Sequence, residues 1–230
     1  MIAIITARGG SRGLPRKNVL PFCGKPLIAH TIEAAKRCQV IDRILVSTDD
    51  SEIAEVSREF GAEVPFMRPE ELASDTASSR EVLLHALQFL EGQGERVDSF
   101  CLLQPTSPLR TSADIEAASE IFHGKKADSV VSVSSYEHPV QWALEVSDDG
   151  RVLPRENQMV VRRQEMTEYY RPNGAVYLFR TDFFKAETGY FGGNSYGYIM
   201  PPERSVDIDT PLDFVVAETV SRYLEKEPHG

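Results

Sequence analysis

Short apolar runs alternate with helical patterns over the first 135 residues, and this alternation constrains the fold more than any other feature of the chain. Runs of the kind that form buried parallel strands occur at residues 2–6, 43–48, 98–103 and 128–133. Apolar residues at helical spacing lie between them, at residues 26–38, 51–60, 79–91 and 113–122. We therefore predict an α/β fold with a mostly parallel sheet and helices on both of its faces.

The alternation stops near residue 135 and resumes close to residue 174. Residues 136–170 contain Trp142, an Asp-Asp-Gly turn and a polar stretch, which together indicate an inserted hairpin and arm. A strand is predicted at Gly174–Arg180 and a last one at Ser205–Asp209, followed by a helix capped by Thr210. The chain is interpreted as a single domain over residues 1–230, with this arm inserted.

The loop after the first strand carries three glycines and only cationic charges. These residues are Arg8, Gly9, Gly10, Arg12, Gly13, Arg16 and Lys17. Glycines let the backbone approach a ligand closely, and fixed cations neutralise a polyanion such as a triphosphate. The loop matches neither G-x-x-x-x-G-K-[ST] nor G-x-G-x-x-G, so neither of those phosphate-binding classes is supported. A solvated turn with surface arginines is the alternative, but in open α/β sheets the loop after the first strand lies at the ligand crevice.

Asp207 and Asp209 stand two residues apart near the end of the chain. On an extended segment both carboxylates point to one side, while Val206 and Ile208 point to the other. Two neighbouring carboxylates repel each other unless a cation lies between them, and Mg²⁺ commonly binds one or two carboxylates together with substrate phosphates. The pair therefore predicts a Mg²⁺ site, and solvated acids at a strand end are the alternative.

Three further segments place polar side chains beside predicted strands or helix starts. Gln104 follows a predicted strand within a turn stiffened by two prolines, where ligands bind in such sheets. Arg68 comes before a helix start at Ser79, and Arg171 and Asn173 come just before a strand. Arginines at such places can hold phosphates or carboxylates, although an N-cap or a structural turn also explains each segment.

Composition narrows the functional classes. The net charge of −10 argues against nonspecific binding to nucleic acid, and no apolar run is long enough to cross a membrane. The three cysteines have no metal-binding spacing, which indicates reduced thiols and a cytoplasmic protein. No histidine stands in a recognisable nucleophile signature, so covalent hydrolase chemistry is not expected.

Taken together and in order, these motifs resemble the acylneuraminate cytidylyltransferases, or CMP-sialic acid synthetases, in the branch that activates sialic, legionaminic and related nonulosonic acids. The resemblance spans the chain from Arg8 to the Asp207–Asp209 motif and the last helix. It implies a Rossmann-like nucleotidyltransferase sheet, and a reaction in which CTP and a nonulosonic acid give a CMP-sugar and pyrophosphate. Mg²⁺ is the implied cofactor. A homodimer is the implied assembly, in which the arm at 136–170 reaches the partner's site.

The resemblance also implies roles for individual residues. Contacts to the triphosphate and the cytidine are implied for Arg8, Arg12, Lys17, Asn18, Arg68 and Ser79. Contacts to the sugar are implied for Gln104, Arg163, Arg171, Asn173, Tyr177 and Phe191, with Arg163 acting in the partner's site. The metal-binding pair is Asp207 and Asp209, and these two aspartates form the catalytic set with Arg12 and Lys17.

Two departures from the family pattern are visible. Arg12 stands where the family commonly has lysine, which keeps the charge. Residues 138–142 read His-Pro-Val-Gln-Trp, without the lysine that sialic acid members can have after the His-Pro pair. Legionaminic acid or another variant is then as well supported as N-acetylneuraminic acid. The alternative enzyme is a nucleotidyltransferase for Kdo or a sugar 1-phosphate, and the alternative without chemistry is a nucleotide-binding regulatory module.

Overall fold

The computed structural model describes residues 1–10, 13–74, 76–153 and 166–226. The strands within these ranges are β1 (Ile2–Thr6), β2 (Pro21–Phe22), β3 (Lys25–Pro26), β4 (Arg43–Ser47), β5 (Ser99–Leu103), β6 (Ser129–Ser135), β7 (Glu145–Val146), β8 (Val152–Leu153), β9 (Tyr170–Arg180) and β10 (Ser195–Ile199). The helices are α1 (Leu27–Arg37), α2 (Ser51–Glu59), α3 (Ser79–Gly92), α4 (Ser112–Gly124), α5 (Thr181–Ala186) and α6 (Pro211–Lys226).

Six of the strands form one sheet in the order β10-β6-β9-β5-β1-β4. β1 pairs in parallel with both β4 and β5, so that Ile4 lies between Leu45 and Leu102. β10 is parallel to β6, whereas β9 runs antiparallel between β5 and β6. The mostly parallel sheet is confirmed, and the four strands predicted before residue 135 are β1, β4, β5 and β6.

The helices cover both faces of this sheet, as predicted. Alternate residues of β1 point to opposite faces, so Ala3 and Ile5 belong to one apolar layer while Ile2 and Ile4 belong to the other. Helices α1, α2 and α4 contribute to the first layer, and α3 and α5 contribute to the second. Burial of these two layers is the main favourable term that holds the helices on the sheet.

Helix α6 begins at the predicted cap. Thr210 Oγ1 accepts the Asp213 N–H at 3.3 Å, and the Asp213 carboxylate accepts the Thr210 N–H at 2.7 Å. The same carboxylate accepts the Asp209 N–H at 3.1 Å, and Ala217 packs with Ile208 in a third, smaller apolar cluster. These contacts tie the chain around Asp209 to the first turn of the helix.

The predicted strand at Ser205–Asp209 is wrong. The segment joins no sheet among the described residues, and it is held instead by a bond of 2.8 Å from the Ile208 N–H to the Thr106 carbonyl. The preceding turn is also anchored elsewhere, since Arg204 pairs with the buried Asp114 at the start of α4.

Strand β10 was not predicted from the sequence. Its side chains alternate between tyrosine and smaller residues, and most of them are partly or fully exposed at the edge of the sheet. A strand of this kind has no buried apolar run to mark it, because its pairing with β6 depends on a distant part of the chain. Pairing from Ser195 to Ile199 follows β6 in parallel register.

A short hairpin lies within residues 136–170. β7 and β8 pair antiparallel, and Gly150 in the turn between them has a φ of 84° and donates its N–H to the Ser147 carbonyl at 2.8 Å. Large exposed apolar side chains lie on and beside this hairpin: Trp142, Leu144, Val146, Val152 and Leu153. Residues 154–165, which include Arg163, lie outside the described residues, and the dimerisation role stays a prediction.

No helix in the described part of the chain is long and apolar enough to span a membrane.

Cys23, Cys38 and Cys101 are free thiols, and burial raises the pKa of Cys101 to about 12. At neutral pH this thiol therefore stays protonated inside the sheet.

The buried ion pair between Asp114 and Arg204 generates a prediction about stability. Asp114 is fully buried and accepts bonds from Arg204 Nη2 at 2.9 Å and from the Tyr198 hydroxyl at 2.8 Å. Asp114→Asn leaves Arg204 without its counter-charge, so we expect the free energy of unfolding to fall by about 3 kcal/mol. Denaturant unfolding followed by circular dichroism measures the change. The control is Asp182→Asn, which breaks an exposed pair with Arg180 and should cost about 1 kcal/mol or less; equal losses for the two variants would contradict the prediction.

Candidate active site

A cavity of about 550 Å³ opens where β1 and β5 end, at Thr6 and just before Gln104. This is the crevice at which open α/β sheets bind ligands. Seven of the residues predicted for the site line it: Arg8, Lys17, Asn18, Arg68, Ser79, Gln104 and Asp209. The fold therefore gathers the described members of the predicted nucleotide set around one space, while Arg12 lies outside the described residues.

The cations of the glycine loop do not all face this cavity. Arg16 has a φ of 58° and pairs with Asp50 and Glu52 at the start of α2. Arg8 and Lys17 line the cavity instead. The positive charge offered to a ligand is therefore smaller than the sequence of the loop suggests, because α2 neutralises one of the arginines.

Lys17 joins the glycine loop to the acidic segment. Its ammonium donates to the Ile208 carbonyl at 2.6 Å and to Asp209 Oδ1 at 3.0 Å, and the side chain is largely buried. Gly13 brings the two segments still closer, since a Cβ at this position would lie 2.2 Å from the Asp209 carbonyl oxygen. A side chain at residue 13 would displace the backbone, so the close approach requires glycine.

The two aspartates of the acidic segment have different surroundings. The Asp209 side chain is 72% exposed, whereas Asp207 is partly buried and its Oδ1 has no hydrogen-bond partner among the described residues. Burial raises the pKa of Asp207. The charge of Asp209 acts in the same direction, while a hydrogen bond from Thr106 and the charges of Lys17 and Arg171 oppose it.

The oxygen atoms of this pair are of the kind that a hard divalent cation prefers, although Asp207 does not line the cavity. A buried carboxylate oxygen without a donor is costly, and a cation would satisfy it. Within the described ranges, no group of three or more histidine, cysteine or acidic side chains is placed to hold a metal. Two carboxylates alone suit Mg²⁺, because that ion commonly takes its other ligands from phosphates and water.

Arg68 and Asn18 support the cavity from buried positions. Arg68 Nε donates to Ser47 Oγ at 3.1 Å, and burial lowers the pKa of Arg68 to about 10, which leaves it charged at neutral pH. Asn18 Nδ2 donates to the Arg8 carbonyl at 3.0 Å and so braces the loop. Ser79 lies at the first position of α3, where backbone N–H groups are open to a ligand.

Gln104 occupies a space that Gly174 leaves open. Gly174 has a φ of 78°, and a Cβ there would lie 2.6 Å from Gln104 Oε1. The amide of Gln104 therefore packs against bare backbone of β9, which fixes its place in the cavity wall.

Asn173 lies inside the protein and does not line the cavity. The pairing of β9 with β6 shifts register between Val131 and Val133, which interrupts the ladder of backbone bonds beside it. Asn173 Oδ1 accepts from Ser132 Oγ at 2.5 Å, and its Nδ2 donates to Ser205 Oγ at 2.9 Å. The side-chain amide thus bonds to groups beside the interrupted ladder. Asn173 therefore stabilises the backbone next to the site and does not face the cavity.

The other predicted sugar contacts do not line the cavity either. Tyr177 is buried, with its ring against Tyr190 at a centroid distance of 5.9 Å. Arg171 and Phe191 are exposed and lie outside the cavity lining, and Arg163 falls outside the described residues. The described residues therefore assemble the predicted nucleotide side of the site more completely than the sugar side.

Two acids that the sequence analysis passed over hold the glycine loop. Asp49 Oδ1 accepts the Gly9 N–H at 3.0 Å. Asp50 pairs with Arg16 and also caps α2, accepting the Ile53 N–H at 3.0 Å. Their signal was an Asp-Asp pair directly after the second predicted strand, at the carboxyl edge where ligand loops meet.

The chain is similar to known proteins along nearly its whole length. A family model described as cytidylyltransferase matches residues 2–226. The pseudaminic acid cytidylyltransferase of Campylobacter jejuni is 34% identical over 218 residues, 94% of each chain. The CMP-N,N'-diacetyllegionaminic acid synthase of Legionella pneumophila is 35% identical over 221 residues, which are 95% of this chain and 94% of that protein. The N-acylneuraminate cytidylyltransferase of Escherichia coli is 38% identical over 229 residues, which are 99% of this chain and 53% of the other.

A solved structure shares the architecture. The structure described as CMP:2-keto-3-deoxy-manno-octonic acid synthetase complexed with CTP gives a TM-score of 0.68 at 18% identity, covering 98% of both chains. At this identity the likeness shows the fold alone. It confirms the Rossmann-like nucleotidyltransferase sheet that the motifs implied.

Gly13→Ala should disturb the site, because the added Cβ would meet the Asp209 carbonyl oxygen at 2.2 Å. We expect the protein to stay folded. A displacement of about 1 Å at this contact is expected to lower kcat/KM for CTP by about 100-fold. The control is Gly92→Ala at the end of α3, which lies outside the cavity lining and where an added Cβ meets nothing within 4 Å. Steady-state release of pyrophosphate measures both, and equal rates would contradict the requirement for glycine at residue 13.

Asp207 should destabilise the metal-free protein at neutral pH. Its pKa is raised in the folded state, so the folded protein binds this proton more tightly than the unfolded chain does. The free energy of unfolding therefore falls within a pH window that runs from the pKa of the carboxyl group in the unfolded chain up to its higher pKa in the folded protein. Above the window the cost persists, so Asp207→Asn should raise Tm in EDTA at about pH 7.5. The gain should vanish at about pH 3, where the carboxyl group is protonated in both states. A variant that melts at the same or a lower temperature at neutral pH would refute the expectation.

Proposed function

This chain belongs to the cytidylyltransferase family, and we propose that it transfers CMP from CTP to a nonulosonic acid and releases pyrophosphate. The observation that carries the proposal is the contact of Lys17 with Asp209, which joins a cationic glycine loop to an acidic segment beside one cavity. Positive charge suited to a triphosphate thus lies next to carboxylates suited to a divalent cation. Family membership makes the chain a nucleotidyltransferase, and the sugar and the metal are part of the proposal.

The substrate is proposed at the level of its class. The relatives are named for pseudaminic, legionaminic and acylneuraminic acids, which are all nonulosonic acids, and their identities of 34%, 35% and 38% do not favour one sugar. Residues 138–142 lack the lysine of sialic acid members, so legionaminic acid and its variants are as well supported as substrates as N-acetylneuraminic acid is. The octonic acid synthetase shares only the fold, so it lends no support to Kdo as the substrate.

Arg8, Lys17 and Arg68 are the described residues proposed to hold the triphosphate. All three line the cavity, and Arg68 keeps its charge at neutral pH although it is buried. Phosphoryl transfer asks the protein mainly for positioning and for stabilisation of charge. Lys17, with Arg12 as the predicted second cation, is proposed to stabilise the departing pyrophosphate. Ser79 at the start of α3 is the proposed contact on the cytidine side.

Asp207 and Asp209 are the proposed ligands of Mg²⁺. Asp207 Oδ1, which has no hydrogen-bond partner in the described part of the chain, and the exposed carboxylate of Asp209 offer the hard oxygen atoms that this ion prefers. When bound, the ion supplies positive charge that polarises the α-phosphate and acidifies the attacking hydroxyl. Lys17 holds the Asp209 carboxylate in place from the other side.

The proposed step is an in-line attack by the anomeric hydroxyl of the sugar acid on the α-phosphorus of CTP. The new oxygen–phosphorus bond forms as the bond to the pyrophosphate oxygen breaks, and the proton of the hydroxyl passes to solvent water. Among the described lining residues Asp209 is the only acid, and there is no histidine. The chain therefore contributes positioning and charge to this step, without a dedicated side-chain base.

We also propose that a second copy of this chain packs on the hairpin β7–β8. The exposed side chains of Trp142, Leu144, Val146, Val152 and Leu153 support this, since clusters of large exposed apolar residues often mark sites of association. In such a dimer Arg163 of one copy is proposed to act in the site of the other.

Pyrophosphate release from CTP and Mg²⁺ across a panel of acceptors tests the proposed function. The panel contains N-acetylneuraminic, diacetyllegionaminic and pseudaminic acids, Kdo and several sugar 1-phosphates. We expect turnover with at least one of the first three, and a product with a single phosphate between cytidine and sugar by mass spectrometry. Turnover only with Kdo or a sugar 1-phosphate would replace the substrate class. Silence across the panel in a folded protein that binds CTP would favour a regulatory module.

Variants of the same enzyme test the assigned roles. Lys17→Met and Asp209→Ala should each lower kcat by about 100-fold or more while the protein stays folded. The control is Arg43→Lys, at the far end of β4, where the arginine pairs with Glu63 and Glu95. Near-normal turnover of Asp209→Ala at ordinary Mg²⁺ concentration would overturn the metal assignment.

A further inference from the structure

Arg110 is a buried cation that the proposed function leaves unused. It is 3% exposed and follows the turn that begins at Gln104, just before the cap of α4. Its guanidinium forms no ion pair with the acids in the described part of the chain, and its hydrogen bonds go to neutral oxygens. Burial lowers the pKa of Arg110 to about 10, so the group is charged at neutral pH.

The guanidinium holds the turn against α1. Arg110 Nη2 donates to Thr31 Oγ1 at 2.6 Å and to the Gln104 carbonyl at 3.2 Å, and Nη1 donates to the Ser107 carbonyl at 3.3 Å. The planar fork of arginine can hold several acceptors in fixed directions, which the single ammonium of lysine cannot reproduce.

The other side of the same turn shapes the cavity. The Gln104 side chain lines it and packs against Gly174. Ser107 Oγ donates to the Asn173 carbonyl at 3.3 Å, next to that glycine. A shift of the carbonyls at residues 104 and 107 would therefore move the Gln104 amide relative to the cavity.

We propose that Arg110 is a positioning residue for the sugar acid, which holds the turn in the shape that sets the Gln104 side chain in the cavity wall. Arg110 itself touches no substrate. The inference rests on the proposed function and on the contact with the sugar acid that the family resemblance implies for Gln104. A buried charge without a carboxylate partner destabilises the fold. The hydrogen bonds of its guanidinium hold the turn in this shape.

Arg110→Lys tests the proposal, because lysine keeps the charge but cannot bind Thr31, Gln104 and Ser107 together. We expect KM for the sugar acid to rise about tenfold, as for one lost hydrogen bond, while KM for CTP changes by less than about twofold. A general loss of stability would reduce the amount of active enzyme and leave both KM values unchanged. Two KM values that move together, or neither moving, would overturn the proposal.

A double-mutant cycle asks whether Arg110 acts through Gln104. Gln104→Ala should show the same separation of the two KM values, and adding Arg110→Lys to it should make no further difference. Additive losses would show that Arg110 acts elsewhere and would overturn the inference. Arg43→Lys is the matched control, since this arginine also holds two elements together but lies at the opposite end of the sheet.

A milder variant covers the case in which Arg110→Lys does not fold. Thr31→Val removes the Oγ1 that accepts from Arg110 with little change in volume, and should raise KM for the sugar acid about threefold. An unchanged KM in this variant would overturn the proposal. The proposed function and the role of Arg110 fail by different results. A wild-type enzyme with no turnover on any nonulosonic acid rejects the proposed function. An active wild type whose variants show no separation of the two KM values rejects only the role of Arg110.

Discussion

The bonds from the Lys17 ammonium to Ile208 and Asp209 are the interaction on which the site depends. Lys17 is separated from Ile208 by 191 positions and from Asp209 by 192, so the first loop and the last segment form one wall of the cavity only in the folded protein. The backbone of Gly13 completes the contact, and the Thr210 cap fixes where the acidic segment meets α6. The glycine loop and the segment that leads into α6 therefore meet at one lysine.

Three buried charged groups with costly surroundings lie in or beside the wall of the cavity. Asp207 has a buried oxygen without a donor, and Arg68 and Arg110 are buried without a directly bonded carboxylate among the described residues. Such groups destabilise a folded chain, and they tend to gather where a ligand will supply the missing partner or where a loop shape has to be kept. The apolar layers on the two faces of the sheet provide the stability that offsets them.

The sequence predicted what depends on local pattern. Strands β1, β4, β5 and β6 are buried on both faces and so appear as apolar runs, and the cap at Thr210 is a local motif. The sequence-based prediction failed where pairing is decided at a distance: Ser205–Asp209 alternates like a strand, but it joins no sheet among the described residues and bonds instead to the Thr106 carbonyl. The same limit applies to the site. The pairing of Arg16 with Asp50, 34 positions away, and the bond of Asn173 to Ser132, 41 positions away, leave no local pattern in the sequence.

The register shift beside Asn173 has a consequence for how sugar preference can change in this fold. Because the Asn173 amide completes the interrupted ladder between β6 and β9, its polarity is a requirement of the backbone and carries no information about the ligand. Chains that accept different sugar acids can therefore share this asparagine. Selectivity has to be encoded where side chains are free to vary without breaking the sheet, such as the exposed Arg171 and the arm that follows β6.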